Sequence, residues 1–338
     1  MQCVDIGKNV YKLEACDYEN APALVAVAHQ GGLSLIHAQK MTVDLSLPAP
    51  AAHALSWNVL ANTLALASVA DDTIYIHLFP NDAQPYSTHI SLPTEASAKN
   101  AAGIYDCCLL DDTIAFTGEN CFCHIARLDL HGQSYNKYAE ILRTIPLESE
   151  GVAVAKNAKE NKQLIMIAEG RGAVHFVDLR SPGVRPTISL QYDGGELADA
   201  DWSSHDPYLV GGVSSTEWVG WDLRYAESQS ASPQTGFAHA KGGAVFRWAP
   251  DRLNFATAGT GNETKIYSLK KIQGREGGMW NVDNAALVRH NLQTRVGSVT
   301  WLHTDADLQL VGSGGSKVFK WEVSGHQGSD VPQEMMLL

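Results

Sequence analysis

Apolar and polar residues alternate in short runs along almost the whole chain, and residues 197–224 show the repeating unit most clearly. Residues 197–202, 208–212 and 217–223 read as three extended segments, the first two separated by the turn Ser203-Ser-His-Asp-Pro207. Alternation with a period of two places Ala198, Ala200 and Trp202 on one face of the first segment and Asp199 and Asp201 on the other. It likewise gathers Val219, Trp221 and Leu223 on one face of the third. A helix needs a period near 3.6, which this run does not supply. A three-stranded meander of this size cannot bury its own apolar faces, so the pattern predicts copies of itself as neighbours.

Seven copies can be traced, with strands lettered a to d from the inside outwards. Blade one is predicted over residues 10–16, 24–28, 33–37 and 43–47, with Gly31-Gly32 at the b–c turn, where positive φ costs glycine little. Blade two covers 54–57, 64–68, 73–79 and 88–92, turns at Asp71-Asp72, and is followed by a polar connector over 93–102. Blade three takes 104–108, 113–117, 122–127 and 139–145, and blade four takes 152–156, 163–168, 173–179 and 187–192. The opening run supplies blade five, with a d strand near 235–239. Blade six spans 244–248, 254–258 and 264–269, then an insertion over 270–284 and a d strand near 286–290. Blade seven gives 297–301, 308–312 and 318–323, one strand short.

Pairing of residues 2–6 as the outer strand of blade seven repairs that shortfall, closes the ring and removes its free edges. The ends of the third strands fall roughly 42 to 54 residues apart, the spacing of WD-type blades. The predicted fold is all-β: a seven-bladed WD40-type β-propeller over residues 1–323, followed by a flexible tail over 324–338 that ends Met335-Met-Leu-Leu338.

Within that fold, blade six comes closest to the buried hydrogen-bond chain of WD repeats. His239 precedes strand a, Asp251 turns from a into b, Thr257 lies in strand b, and Tyr267 stands where tryptophan is usual. Buried polar groups are tolerated when paired in this way, each bond contributing about 1 kcal/mol net. Most other blades lack the histidine, so apolar packing of Trp57, Trp202, Trp248, Trp301 and Trp321 is expected to hold the ring.

Composition narrows the function classes. The 338 residues carry a net charge of −12, which argues against a broad basic face for nucleic acid or anionic membrane. The sequence has no run of eighteen apolar residues, so membrane insertion is not expected, and the first residues lack the basic and apolar regions of a signal peptide. Six cysteines, two of them adjacent, fit a reducing compartment better than a disulfide framework. A nuclear or cytosolic soluble protein, monomeric when isolated, is expected.

Candidate chemistry is sparse. Cys107-Cys108 with Cys121-Phe-Cys123-His124 is the one metal-like cluster, with Cys121 and Cys123 expected on one face of a strand; small thiols filling a blade core is the plainer reading. The thirteen histidines show no H-E-x-x-H spacing, and the serines sit in no G-x-S-x-G elbow. Gly259-Thr-Gly261 and Gly312-Ser-Gly-Gly315 precede strands and read as hairpin turns, not phosphate cradles. Asp106 and Asp199 could line a central channel as carboxylates of an enzyme, although solvated aspartates near strand starts are commoner. No catalytic residue, cofactor or metal is therefore assigned. Met279 and Trp280, in the glycine-rich stretch 274–280, are candidate partner contacts on a loop.

Several stretches, in series, resemble a known family: Met166-Ile-Ala-Glu-Gly-Arg-Gly-Ala-Val-His-Phe-Val-Asp-Leu179, Val245-Phe-Arg-Trp248, Phe255-Ala-Thr-Ala-Gly259 and Val296-Gly-Ser-Val-Thr-Trp301. They are similar to blades of the nucleoporin thirty-seven family, the small WD-repeat subunits of the Y-shaped outer-ring complex of the nuclear pore. The likeness is clearest over residues 150–323. It implies a non-enzymatic scaffold at the nuclear envelope that binds the large propeller–solenoid nucleoporin of the long arm and associated outer-ring subunits. It also implies a part in mRNA and protein transport and, in animals, visits to kinetochores. A second resemblance lies in Trp221-Asp222-Leu-Arg224, echoed by Val177-Asp-Leu-Arg180. That ending resembles the docking box of WD-repeat substrate receptors for cullin-4 ubiquitin ligases, whose Asp and Arg stand exposed on the rim. The structural alternative is an Asp that accepts turn amides beside a solvated Arg.

Overall fold

The computed structural model describes residues 2–323 except for connecting segments, the longest being 93–102, 129–138, 157–162, 226–232, 272–279 and 290–295; the predicted tail over 324–338 also lies outside the described residues. Seven four-stranded antiparallel sheets follow one another along the chain. Blade one holds β2 (Val10–Ala15), β3 (Leu24–His29), β4 (Gly32–His37) and β5 (Thr42–Leu47), and blade two holds β6 (Ala54–Leu60), β7 (Thr63–Ala70), β8 (Thr73–Phe79) and β9 (Tyr86–Ser91). Blade three comprises β10 (Ile104–Leu109), β11 (Thr113–Gly118), β12 (Phe122–Arg127) and β13 (Glu140–Pro146). Blade four comprises β14 (Gly151–Lys156), β15 (Leu164–Glu169), β16 (Ala173–Asp178) and β17 (Ile188–Gln191). Blade five runs β18 (Leu197–Trp202), β19 (Leu209–Ser214), β20 (Glu217–Asp222) and β21 (Gln234–Phe237), and blade six runs β22 (Gly243–Trp248), β23 (Asn254–Gly259), β24 (Glu263–Lys271) and β25 (Trp280–Arg289). Blade seven is β26 (Val296–His303), β27 (Leu308–Gly314) and β28 (Lys317–Val323), completed by β1 (Gln2–Asp5).

The chain is thus an all-β seven-bladed propeller. Its ring is closed by β1 against β28, in the register Gln2↔Lys320 to Asp5↔Lys317. Val4 and Ile6 pack on the cluster of Leu13, Val25, Leu302, Val311 and Val318, so the joint has an apolar anchor as well as a ladder. Each core cluster is shared by neighbouring blades; one joins Ala67 and Ile76 of blade two to Phe116 and Ile114 of blade three. At the turn between β3 and β4 the chain adopts φ +135° at Gly32, a region open to glycine and strained for other residues.

Two details depart from simple alternation. The register slips by one residue near the start of the first strand in six blades, at Val10/Lys12, Ile104/Asp106, Gly151/Ala153, Leu197/Asp199, Gly243/Val245 and Val296/Ser298. A bulge of this kind bends the strand and flips one side chain. Ala198, expected on the buried face with Ala200 and Trp202, is turned out to solvent, and Leu197 is buried in its stead. The second departure is in blade six. β24 and β25 pair from Glu263↔Arg289 through to Lys271↔Trp280, so residues 270–271 and 280–284 of the predicted insertion are paired strand.

Candidate functional site

The bulges set which side chains face the ring axis. Counting from them, Glu14, Ser56, Cys108, Ala155, Asp201, Arg247 and Thr300 occupy one equivalent position, one per blade, and all seven line a cavity of about 220 Å³. Two residues earlier along the strands stand Lys12, Asp106, Asp199 and Ser298.

The innermost strand of a blade has no sheet neighbour towards the axis, which leaves a row of buried amides and carbonyls to satisfy. Side chains of the preceding blade meet the amides. Ser298 and Thr300 accept from the amides of Leu13 and Ala15, each at 3.1 Å. Ser56 accepts from Leu109 (2.9 Å), Asp106 from Val154 (3.1 Å), Asp199 from Phe246 (3.0 Å) and Asp201 from Trp248 (2.9 Å). Carbonyls are met from the other side, by the following blade: the indole of Trp57 donates to the carbonyl of Glu14 and that of Trp301 to the carbonyl of Arg247, both at 3.0 Å. Trp57 and Trp301 therefore pack and hydrogen-bond at once.

Asp106 and Asp199, read from the sequence as either channel-lining or solvated, are both buried, and Asp106 lines the cavity. Each meets a cation: Asp106 pairs with Lys12, two blades away, at 3.1 Å, and Asp199 pairs with Arg247 of the next blade. Glu14 differs, because its carboxylate has no hydrogen bond among the described residues. Burial raises its pKa to about 7 from an ordinary 4.5, against the pull of Arg247 and Lys12 and with the push of Asp106 and Asp201. Burial also raises Asp201, to about 6.

Glu14 thus makes stability depend on pH. Between about 4.5 and 7 the folded chain holds a proton that the unfolded chain has released, so this contribution is complete below 4.5 and is lost as pH rises to 7. Glu14→Gln removes it. The variant's melting temperature is expected to fall less than that of the parent between pH 5 and 7.5, as followed by circular dichroism; equal slopes would reject the assignment to Glu14.

Elsewhere polar groups are also engaged. In blade six His239 bonds Thr257 (Nε2 to Oγ1, 2.9 Å), and the Tyr267 hydroxyl donates to the carbonyl of Phe237 at 3.2 Å with Thr257 beside it. Asp251 is not part of that chain. It accepts from Asn254 within the turn between β22 and β23, at the end of the hairpin away from His239, because the a–b and d–a connections lie on opposite faces of a blade. Blade four contains a carboxylate–imidazole–hydroxyl row that the sequence reading missed: Glu169 to His175 at 2.8 Å and His175 to Ser189 at 2.9 Å. The same cross-strand pairing recurs as His77 with Ser87 (2.7 Å) and His124 with Thr144 (3.1 Å), and Glu169 also holds the amides of Glu148 and Ser149. That recurrence marks the row as stitching between strands c and d.

The cysteines are dispersed. Cys107 lies in the cluster between blades two and three, while Cys108 and Cys123 lie in the next one. Cys121 is in the turn before β12 with φ +55°, not on the strand with Cys123 as expected. Burial pushes the Cys108 thiol up to about 12. Among the described residues no group of three ligands could hold a metal.

Of the candidate partner contacts, Met279 lies outside the described residues, and Trp280 opens β25 opposite Lys271 instead of lying on a loop. Asp222 and Arg224 form a closed pair at the end of β20. One carboxylate oxygen accepts from the Arg224 amide at 3.1 Å, and the guanidinium returns to the carboxylate at 2.7 and 2.6 Å. The Asp222 side chain is 5% exposed, which corrects the expectation of an outward-facing Asp. Arg224 also covers the Tyr208 ring, and Asp178 and Arg180 repeat the pair one blade earlier. The Arg224 side chain is half-exposed and Asp222 keeps the backbone amide as a donor, so Arg224→Ala is expected to cost at most about 1 kcal/mol in urea denaturation. A loss above about 2 kcal/mol would show that the pair supports the blade.

Aromatic groups that the sequence did not single out stand in the open. Phe237 at the end of β21 is 58% exposed, with the Lys265 ammonium 4.6 Å from its ring centre, and Tyr105 and Phe122 flank the turn between β11 and β12. They interrupt alternating strands at their ends, where the pattern gives no signal.

No family model matches the chain. Nucleoporin Nup37 of Mus musculus is 33% identical to it over 115 residues, a third of this chain and a third of the relative. Nucleoporin Nup37 of Homo sapiens is 31% identical over a stretch of the same length. The chain thus spans about a third of the length of the curated relatives it matches, and over that span, on a seven-bladed propeller, its likeness is to nucleoporin Nup37.

Proposed function

We propose that the protein is a non-enzymatic scaffold subunit of the nuclear pore, in the outer-ring Y complex, bound to the large propeller–solenoid nucleoporin of the long arm. The observation that carries this reading is the likeness to Nup37 on a propeller whose axial Asp and Ser side chains hold adjoining blades together. A closed ring suits a load-bearing part, because its sheets offer few open edges and its rigidity limits the entropy lost on binding. The exposed rings of Phe237, Tyr105 and Phe122 are the kind of anchor that protein interfaces use. On this reading the protein resides at the nuclear envelope and supports transport through the pore.

Affinity purification of the tagged chain from its own cells tests the proposal. Recovery of the long-arm nucleoporin in equal amounts is expected, and its absence rejects the reading. The ligase-receptor alternative has no specific observation in its favour, since Asp222 and Arg224 face each other.

A further inference from the structure

We propose that the axial cavity is a binding site for a guanidinium or ammonium group, held by Glu14 and Asp201 with its alkyl stem against the indoles of Trp57, Trp202 and Trp301. The proposal does not depend on the nuclear-pore reading.

Charge decides between a cation and an anion. Along the axis four carboxylates (Glu14, Asp106, Asp199, Asp201) face three cations (Lys12, Lys156, Arg247). The cations are already engaged. Lys12 pairs with Asp106, Arg247 meets Asp199 and the Phe246 carbonyl, and Lys156 donates to the Leu109 carbonyl at 2.7 Å. The surplus is therefore negative and rests with Glu14, whose carboxylate accepts no hydrogen bond among the described residues. Glu14 is half-buried at the cavity wall with no donor among the described residues, and an entering cation would supply one.

Size and walls point the same way. Pockets for drug-sized ligands begin near 300 Å³, so about 220 Å³ suits one side chain or a small amine better than a nucleotide cofactor. Indole faces beside carboxylates favour cations through the ring quadrupole. Glu14 adds a signature. A bound cation stabilises its ionised form, so affinity should rise with pH until Glu14 is ionised without help, with Arg247, Lys12, Asp106 and Asp201 as the other charges that bear on it.

The test is tryptophan fluorescence of the full chain titrated with arginine amide. Saturable one-to-one binding is expected, tighter by about tenfold at pH 7.5 than at pH 5.5. Glu14→Gln should weaken it about tenfold and flatten the pH dependence, while Asp201→Asn, which keeps an acceptor for the Trp248 amide, should weaken it without unfolding the chain. An Ala-Arg-Ala peptide that binds more tightly than arginine amide would identify a protein-borne side chain as the source, and equal affinity a free small cation. No saturable change, equal binding by Glu14→Gln, or equal competition by N-acetylglutamate would overturn the proposal.

Discussion

Asp199→Ala should destabilise the protein by about 3–5 kcal/mol, as read from the urea midpoint at pH 7. Three losses coincide at that position. Arg247 is left buried beside the vacated site, and removing one member of a buried pair costs more than the pair's net worth. The Phe246 amide loses its acceptor on an edge that has no strand to replace it. Burial of the alanine methyl returns little. Asp199→Asn separates the terms, because its carbonyl can still accept from Phe246 while the charge is gone. It should fall between parent and alanine variant, at about 1–3 kcal/mol. A cost below about 1 kcal/mol for the alanine change would mean that the edge amides do not need side-chain partners.

Deleting residues 1–6 should open the ring. The deletion removes a ladder of four paired residues and the packing of Val4 and Ile6, and it bares the outer edge of β28. At about 1 kcal/mol per lost backbone bond, with apolar burial added, the loss is on the order of 4–6 kcal/mol, enough to lower the melting temperature by several degrees. An open edge beside Phe319 and Val318 also invites pairing with other chains, so light scattering should show association where the parent shows none. A peptide of residues 1–8 added in trans should restore both the melting temperature and the monomer, since it can add back as a strand. If the truncated chain stays monomeric and melts with the parent, closure by β1 is dispensable.

The alternation carried most of this architecture. The seven repeats, the strands near their observed limits and the closing role of the N-terminal strand follow from where Val, Ile and Leu recur between turn residues. What alternation could not show is a third environment. A binary pattern separates core from solvent, yet Lys12, Asp106, Asp199 and Arg247 sit in neither: they are polar, largely buried and paired between blades near the axis. In sequence they look like solvent-facing positions of half-buried strands. The bulges hide for a similar reason, because one slipped residue shifts every later side chain to the other face while leaving the composition unchanged. Asp251 was misplaced because an Asp in a tight turn is favoured whether or not a histidine is near, and only the face of the blade tells the two apart.

Each blade completes the inner edge of the next, and that has a bearing on how such a ring can be altered. A blade lifted from this protein and grafted into another would leave two mismatches, one on the neighbour it used to serve and one on its own unserved strand. Changes in blade number or order are therefore expected to require paired substitutions at both new junctions, which makes the circle, and not the single sheet, the unit that selection or a designer must handle.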